Sequence, residues 1–210
     1  MCGIAGYIGN YDIKFSDVNK TLNLMKNRGP DSRDYYTEKF TEKQLLLLHS
    51  RLKIIDLNPR SNQPFKKKHL TLVFNGEIYN FKELRDSLKK KGYKFFTESD
   101  TEVLLNYYIE YKENCVNYFE GMWSFAIWDS KNKKLFLSRD RFGEKPLFFF
   151  RNEKGFFFGS EIKYIRSLSS NSFEINNDQL IRNLVYGYKS INKKNETFFK
   201  NIFPLESGTN

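Results

Sequence analysis

The amino-acid sequence predicts an α+β fold, and three observations support that class. Strand-like and helix-like segments are grouped along the chain instead of alternating one for one, which argues against a doubly wound parallel sheet. Short aromatic segments separated by turn signals occupy residues 122–160, a pattern typical of antiparallel hairpins. The chain has 210 residues, of which 40% are hydrophobic and 17% aromatic. It can therefore build the packed core of one sizeable domain.

The first half of the chain carries one helical pattern between apolar strand-like runs. An apolar start at residues 4–8 precedes a helical pattern at about 17–27, where apolar side chains recur on one face. The segment RGPDS ends that pattern. Strand-like runs follow at 45–50 and 70–75, separated by the turn-rich LNPRSNQP.

The second half predicts helices that begin near Asn80 and Asp100, both suitable capping residues. The first of these helices ends at Gly92. Strands are then expected at 122–129, 134–140, 146–150 and 155–160, followed by helices at 160–168 and 177–186. Residues 189–210 are rich in Asn, Lys and Ser with little apolar periodicity, so we expect an exit segment and not a core element.

Composition excludes several classes of protein. The two cysteines and two histidines form no spaced cluster that could make a disulfide framework or a zinc site, which favours a reducing cytoplasm. No secretory signal and no apolar run of membrane-spanning length is present, so no membrane partner is expected. The net charge is +10, but no nucleic-acid-binding motif accompanies it, and the Lys runs at 66–68 and 89–91 are interpreted as solvated surface.

Cys2 is the residue with the clearest chemical potential. It directly follows Met1, and a small second residue permits removal of the initiator methionine. The exposed α-amine would titrate at about pH 7.7–8.0, so it could accept the thiol proton without a histidine. The alternative interpretation of Cys2 alone is a small apolar side chain in the first strand.

Eight ordered motifs resemble the glutaminase domain of the glutamine-hydrolysing asparagine synthetase family. They are MCGIAGYIG, NRGPDS, HSRLKIIDLN, NQPF, FNGEIYNFKELR, ESDTEVLL, EGMWSFAIWD and SRDRFGEKPLFF. The resemblance runs from residue 1 to about 187 and continues weakly through ETFFKNIFPLESG. Glucosamine-phosphate synthases and phosphoribosyl-pyrophosphate amidotransferases share a Cys2 glutaminase, but NGEIYN, GMWSFAIWD and RDRFGEKPL are similar to the asparagine synthetase branch.

This resemblance implies a fold and a catalytic set. The fold is the four-layer αββα sandwich of N-terminal nucleophile hydrolases, with two antiparallel sheets between helical layers. Cys2 would attack the side-chain amide of L-glutamine and form a thioester, with the Asn75 side chain and the Gly76 N–H as oxyanion donors. The alternative for Asn75-Gly76 is a turn after an apolar strand.

The resemblance also implies how glutamine is held. Arg51 would receive the α-carboxylate and Asp100 the α-ammonium, with Glu77 nearby. The implied glutamine-binding residues are Arg51, Leu52, Lys53, Ile54, Ile55, Asn75, Gly76, Glu77 and Asp100. Alternatively, Arg51 is a surface residue and Asp100 a helix N-cap.

Two further motifs are interpreted structurally. Residues 28–31 (RGPD) are expected to form a rigid loop that packs near the nucleophile. The alternating charges of residues 139–141 (RDR) could form an anion site, but charges of this pattern at a strand end more often form surface ion pairs. We therefore expect ion pairs and exclude these residues from the site.

We expect residues 1–188 to form the glutaminase domain and residues 189–210 to form an exit segment or linker toward an ATP-dependent synthetase domain. We expect that domain to be absent from this chain, because the sequence has no S-G-G-x-D-S and no G-x-x-x-x-G-K-[ST] motif. Glutamine hydrolysis itself needs no metal or cofactor; ATP and magnesium would serve the synthetase domain, in cis or in trans, and a homodimer is compatible with the sequence. The acceptor, aspartate or another carboxylate, stays open. Alternatives are a free-standing glutaminase subunit, a catalytically silent glutamine-binding or sensing domain and, as a distant third, a nucleic-acid-binding module.

Overall fold

A computed structural model describes residues 1–187 and 195–210 of the chain. The strands within this part are β1 (Gly3–Gly9), β2 (Ser32–Phe40), β3 (Lys43–Arg51), β4 (Phe65–Lys67), β5 (Leu70–Ile78), β6 (Gly121–Asp129), β7 (Lys134–Arg139), β8 (Phe148–Asn152), β9 (Gly155–Gly159) and β10 (Phe203–Pro204). The α-helices are α1 (Phe15–Met25), α2 (Phe81–Lys90), α3 (Asp100–Tyr111), α4 (Ile162–Ser169) and α5 (Asn177–Tyr186). Short 3₁₀ helices cover Pro59–Ser61 and Lys112–Tyr118.

The strands form two antiparallel sheets. The larger sheet has the order β10-β8-β9-β1-β3-β2, and the smaller sheet has the order β4-β5-β6-β7. All neighbouring pairs in both sheets run antiparallel. The predicted hairpins between residues 122 and 160 are therefore confirmed, although they divide between the two sheets.

Three apolar clusters hold four layers together. The inter-sheet cluster consists of Ile4, Leu45, Leu47, Val73, Ala126, Trp128, Leu147 and Phe158. Helices α1 and α4 cover the outer face of the larger sheet, and helices α2 and α3 cover the outer face of the smaller one. This αββα arrangement confirms the predicted architecture.

Alternation along β3 explains why its sequence shows no polar side. Leu45 and Leu47 face the other sheet, whereas Leu46 and Leu48 pack under the helices. Both faces of the strand are covered, so an uninterrupted apolar run is the stable choice. The same alternation directs Arg51, at the end of β3, toward the inter-sheet side.

Strand β2 lies where the sequence predicts no element. It is the edge of the larger sheet, and its residues are exposed or only partly buried. Such an edge strand needs little apolar material, because one neighbour supplies its hydrogen bonds. Its sequence, SRDYYTEKF, is largely polar, so apolar periodicity does not predict this strand.

The described part of residues 189–210, the range expected to form an exit segment, packs against the larger sheet. Ile202 is buried in the cluster under the larger sheet, and β10 pairs with β8. The Leu205 N–H donates to the Leu147 carbonyl at 2.8 Å. A few well-spaced apolar residues are enough to add this short edge strand.

The predicted boundary at 188/189 lies outside the described residues. In the described ranges, no helix is long and apolar enough to cross a bilayer.

Candidate active site

A cavity of about 140 Å³ opens where β1 begins and where β3 and β5 end. Its lining includes most of the residues that the sequence predicts for the site. Those residues are Cys2, Arg51, Leu52, Ile54, Ile55, Asn75, Gly76, Glu77 and Asp100. Lys53 does not line it; its backbone N–H instead donates to the Asp31 carboxylate at 2.7 Å.

Cys2 lies on the inter-sheet side of the chain just before β1, two residues before the buried Ile4. The Leu52 N–H lies 3.4 Å from the Cys2 sulfur, and the thiol lies 3.7 Å from the Leu52 carbonyl oxygen. Burial raises the pKa of the Cys2 thiol, although the Leu52 N–H and the charge of the chain's amino terminus act in the opposite direction. The thiol therefore needs a base before it can act as a nucleophile.

The RGPD loop packs behind Cys2, which confirms the interpretation of that motif. Arg28 donates from Nε to the Cys2 carbonyl oxygen at 2.8 Å and pairs with Glu161 at 3.3 Å. At Gly29 a Cβ would lie only 2.3 Å from the backbone of Ser50, so glycine lets this loop approach β3. The loop therefore fixes the backbone that carries the thiol.

Asn75 and Gly76 lie inside β5 and do not form a turn. They pair with Ser124 and Trp123 of β6. Asn75 is buried, and its side-chain amide lies 3.5 Å from the Ser124 hydroxyl. At Gly76 a Cβ would lie 2.2 Å from the Met122 carbonyl oxygen, so only glycine fits without displacing backbone.

The Gly76 N–H lies on an open edge of β5. Strand β4 pairs with β5 only as far as Phe65 opposite Leu72. Beyond that point side chains accept from β5: Gln63 Oε1 from the Phe74 N–H at 2.6 Å, and Asp100 Oδ2 from the Ile78 N–H at 3.1 Å. N–H groups alternate between the two edges of a strand, so the Gly76 N–H lies between these two and toward the cavity.

Asp100 begins α3, but it is not the capping residue. The hydroxyl of Ser99 accepts from the Thr101 N–H and serves as the N-cap. Burial, aided by the negative charge of Glu77, raises the pKa of Asp100 to about 6, despite the hydrogen bonds that the carboxylate accepts. A buried carboxylate of this kind has a strong tendency to bind a cation or a proton.

Arg51 is buried, so it is not the surface residue of the alternative interpretation. Its Nη1 donates to the Asn58 carbonyl at 3.1 Å and to the Asn62 side chain at 2.7 Å. Its Nη2 donates to the carbonyl groups of Ile55 and Asp56. The guanidinium thus holds the loop after β3 in place, and only its Nε–H makes no hydrogen bond in the described part of the chain.

Seven residues at the cavity were not predicted. They are Met1, Gln63, Phe74, Ser99, Thr101, Met122 and Lys145. Lys145 is buried, and its Nζ lies 3.4 Å from the sulfur of Met1, which also lines the cavity. The NQPF and GEKPL motifs that contain Gln63 and Lys145 were the available signal, but neither residue has a role that its type alone would indicate.

The prediction of surface ion pairs for residues 139–141 is wrong. Asp140 is fully buried and accepts hydrogen bonds from four backbone N–H groups, those of Trp123, Phe142, Glu144 and Lys145. Arg139 and Arg141 donate to backbone carbonyl groups. These charges satisfy the backbone of a tight turn, which alternation of sign in the sequence does not reveal.

The described residues contain no cluster of three or more His, Cys, Asp or Glu side chains that could hold a metal ion. Burial lowers the pKa of His49 to about 3, so this imidazole is neutral. Its Nε2 lies 3.1 Å from the Phe74 carbonyl and donates to it. Cys115 is buried in the helical layer, where burial raises its pKa to about 12.

The chain is similar in sequence to known proteins. The model of the glutamine amidotransferase domain matches residues 1–210. Asparagine synthetase [glutamine-hydrolyzing] 3 of Bacillus subtilis is 39% identical over 79% of this chain. Putative asparagine synthetase [glutamine-hydrolyzing] 2 of Methanocaldococcus jannaschii is 34% identical over the full length of this chain. The chain spans only 27% and 43% of these two relatives.

The fold is similar to that of a solved amidotransferase. The glutamine phosphoribosylpyrophosphate amidotransferase of B. subtilis superposes with a TM-score of 0.66 at 19% identity, over 83% of this chain and 45% of that protein. At that identity the likeness concerns the fold alone. The family model and the sequence relatives together identify the chain as a member of the glutamine amidotransferase family, with a domain like that of the glutamine-hydrolysing asparagine synthetases.

Proposed function

We propose that this domain hydrolyses L-glutamine to glutamate and ammonia through a thioester on Cys2. The observation that carries the proposal is the shared cavity, which Cys2, Asn75 and Gly76 all line. A nucleophile beside preorganised donors is the arrangement that amide hydrolysis requires.

Activation begins with the loss of Met1, whose side chain lines the cavity. Burial keeps the Cys2 thiol protonated, because its pKa is raised. The new α-amine of Cys2 takes the thiol proton, and the thiolate attacks the δ-carbon of glutamine. The proton then passes to the departing nitrogen, which leaves as ammonia. Water, deprotonated by the same amine, cleaves the thioester and releases glutamate.

The oxyanion that forms in each step needs donors that do not reorganise. Asn75 is held within β5. Among the residues that the structure describes, its side-chain amide donates only to the Ser124 hydroxyl, at 3.5 Å, a long bond that leaves donor capacity. The Gly76 N–H lies on the unpaired edge of the same strand. Removing one donor from a hole of this kind typically lowers kcat by about 10²–10³.

The cavity has side chains of opposite charge to the α-ammonium and the α-carboxylate of free glutamine. The carboxylates of Asp100 and Glu77 line the cavity and suit the α-ammonium. Arg51 suits the α-carboxylate, although its Nη atoms are engaged by the loop and only Nε–H remains. Backbone groups of residues 52–55 would complete that contact.

The ammonia would serve an ATP-dependent amidation, because the sequence relatives are named as asparagine synthetases. We assign the acceptor as aspartate or a similar carboxylate. ATP and magnesium would act in a synthetase domain in cis or in trans, and the reducing cytoplasm would keep Cys2 and Cys115, both free, reduced.

The test combines processing and turnover. Mass spectrometry first establishes that Met1 is absent, and glutamate release is then measured for the native protein, Cys2→Ala and the matched control Cys115→Ala. We expect Cys2→Ala to lose at least about 10³-fold in kcat and Cys115→Ala to retain it. No release from correctly processed protein would contradict the proposal, and retained glutamine binding by calorimetry would then identify a silent binding domain.

A further inference from the structure

Strand β4 does not extend along the part of β5 that carries the proposed oxyanion donors. The register of Phe65 opposite Leu72 would place residue 63 opposite Phe74 if the strand continued. Pro64 intervenes, and proline has no N–H to offer a sheet. The edge of β5 beside Asn75 therefore lacks a backbone partner.

The side chain of Gln63 takes the place of the missing strand. Its Oε1 accepts from the Phe74 N–H at 2.6 Å, and its Nε2 donates to the Phe74 carbonyl at 3.3 Å. The Gln63 carboxamide thus pairs with both the backbone N–H and the backbone carbonyl of Phe74. Gln63 is buried, so water does not compete for these bonds.

Gln63 also joins β5 to the element that carries Asp100. Its Nε2 lies 3.4 Å from the Thr101 hydroxyl in the first turn of α3. The Phe74 carbonyl accepts a second hydrogen bond from His49 of the other sheet. The peptide between Phe74 and Asn75 is therefore fixed from both sheets and from α3.

We infer that Gln63 is a positioning residue that sets the oxyanion donors Asn75 and Gly76 at their working distance from Cys2. The inference rests on the proposed glutaminase function and adds a residue to it. Gln63 acts through the adjacent peptide, so its loss should impair the transition state more than glutamine binding. A displacement of about 1 Å at such a site can cost about 10²-fold in rate.

The chain provides a matched control in Gln44. Its Oε1 accepts from the Ile13 N–H at 2.8 Å, and its Nε2 donates to the Thr37 hydroxyl at 3.2 Å. Gln44 is also buried, but it pairs with Gly9 at the end of β1 remote from the cavity. Substitution of either glutamine removes a carboxamide with similar bonds, and only one of them is next to the site.

The experiment compares Gln63→Met and Gln44→Met in the processed protein. Methionine keeps the volume and removes the hydrogen bonds. We expect Gln63→Met to lower kcat at least about tenfold with KM nearly unchanged, while Cys2 alkylation by iodoacetamide keeps its native rate. Gln44→Met should keep the native kcat. Gln63→Glu, which retains an acceptor for the Phe74 N–H, should lose less activity and serves as the second variant if Gln63→Met does not fold.

Three outcomes would overturn the inference while the proposed function stands. The first is an unchanged kcat in the Gln63 variants, and the second is a rise in KM alone. An equal fall of kcat in Gln63→Met and Gln44→Met would also overturn it, because general destabilisation would explain both. If the native protein shows no Cys2-dependent hydrolysis, the proposed function itself fails, and the inference fails with it.

Discussion

Replacement of Asp100 by asparagine should stabilise the folded protein near neutral pH while it damages function. Burial raises the pKa of this carboxyl group from 3.8 to about 6. The folded state therefore holds the proton more tightly than the unfolded state, and native stability falls as pH rises through this interval. A shift of that size corresponds to about 3 kcal/mol at 1.36 kcal/mol per unit. An uncharged carboxamide at this position would avoid that cost at every pH.

The assay is urea unfolding of the native protein and Asp100→Asn at about pH 4 and about pH 8. The asparagine side chain can still accept from the Ile78 N–H and can donate to Ser99, two of the partners of the carboxylate. We expect nearly equal stability at the lower pH and a gain of about 2–3 kcal/mol for the variant at the higher pH. Asp129→Asn is the control of opposite sign. Burial acts to raise the pKa of Asp129, but the hydrogen bonds from Asn132 and Lys131 and the neighbouring His69 together outweigh it, so the pKa is lowered. A variant less stable than the native protein at about pH 8 would refute this reasoning.

The same carboxylate should appear in the pH profile of catalysis. If Asp100 receives the α-ammonium of glutamine, only its ionised form binds substrate well. The slope of log kcat/KM against pH should therefore steepen by about one unit below about pH 6. The slope of log kcat against pH, measured at saturating glutamine, should not steepen there. Asp100→Asn should lose the extra slope and raise KM. A native profile without that steepening would argue against Asp100 as the ammonium-binding group.

Three further substitutions test other parts of the site. Gly76→Ala should lower kcat by at least about 10²-fold, because its Cβ would meet the Met122 carbonyl at 2.2 Å and displace the donor strand; a kcat within about twofold of native would contradict this. Arg51→Lys should raise KM and accelerate hydrogen exchange in residues 55–62, since one ammonium cannot reach four acceptors; unchanged exchange would disprove the assigned role. Asp140→Ala should destabilise the fold by about 3–5 kcal/mol in urea titrations, because four backbone N–H groups lose their acceptor; a loss below about 1 kcal/mol would contradict that account.

The sequence predicts the order of most elements. The residues that it predicts for the site, apart from Lys53, line one cavity. Strongly apolar segments such as β3 and β5 are evident because both of their faces are buried. Cys2, Asn75 and Asp100 are recognisable from motifs, since their residue types match the chemistry that glutamine hydrolysis requires. Strand β2 escapes prediction because an edge strand does not need an apolar face.

Side-chain roles that depend on register could not be predicted. Gln63 gains its role only because β4 begins directly after Pro64 and leaves Phe74 without a strand partner on that edge, which requires knowledge of the strand pairing. Arg51 was expected to bind glutamine, but its Nη atoms hold the following loop, a contact set by the path of that loop. Asp140 depends in the same way on the shape of a turn.

The central claim is that the thiol of Cys2, at a processed N-terminus, is the nucleophile for glutamine. Its most direct test is incubation with a glutamine analogue in which an electrophilic diazoketone replaces the amide, followed by peptide mass spectrometry. We predict one adduct per chain, on a Cys2 that lacks Met1, with protection by excess glutamine. An adduct on Cys115, or none on correctly processed protein, would contradict the assignment of this cavity as a glutaminase site.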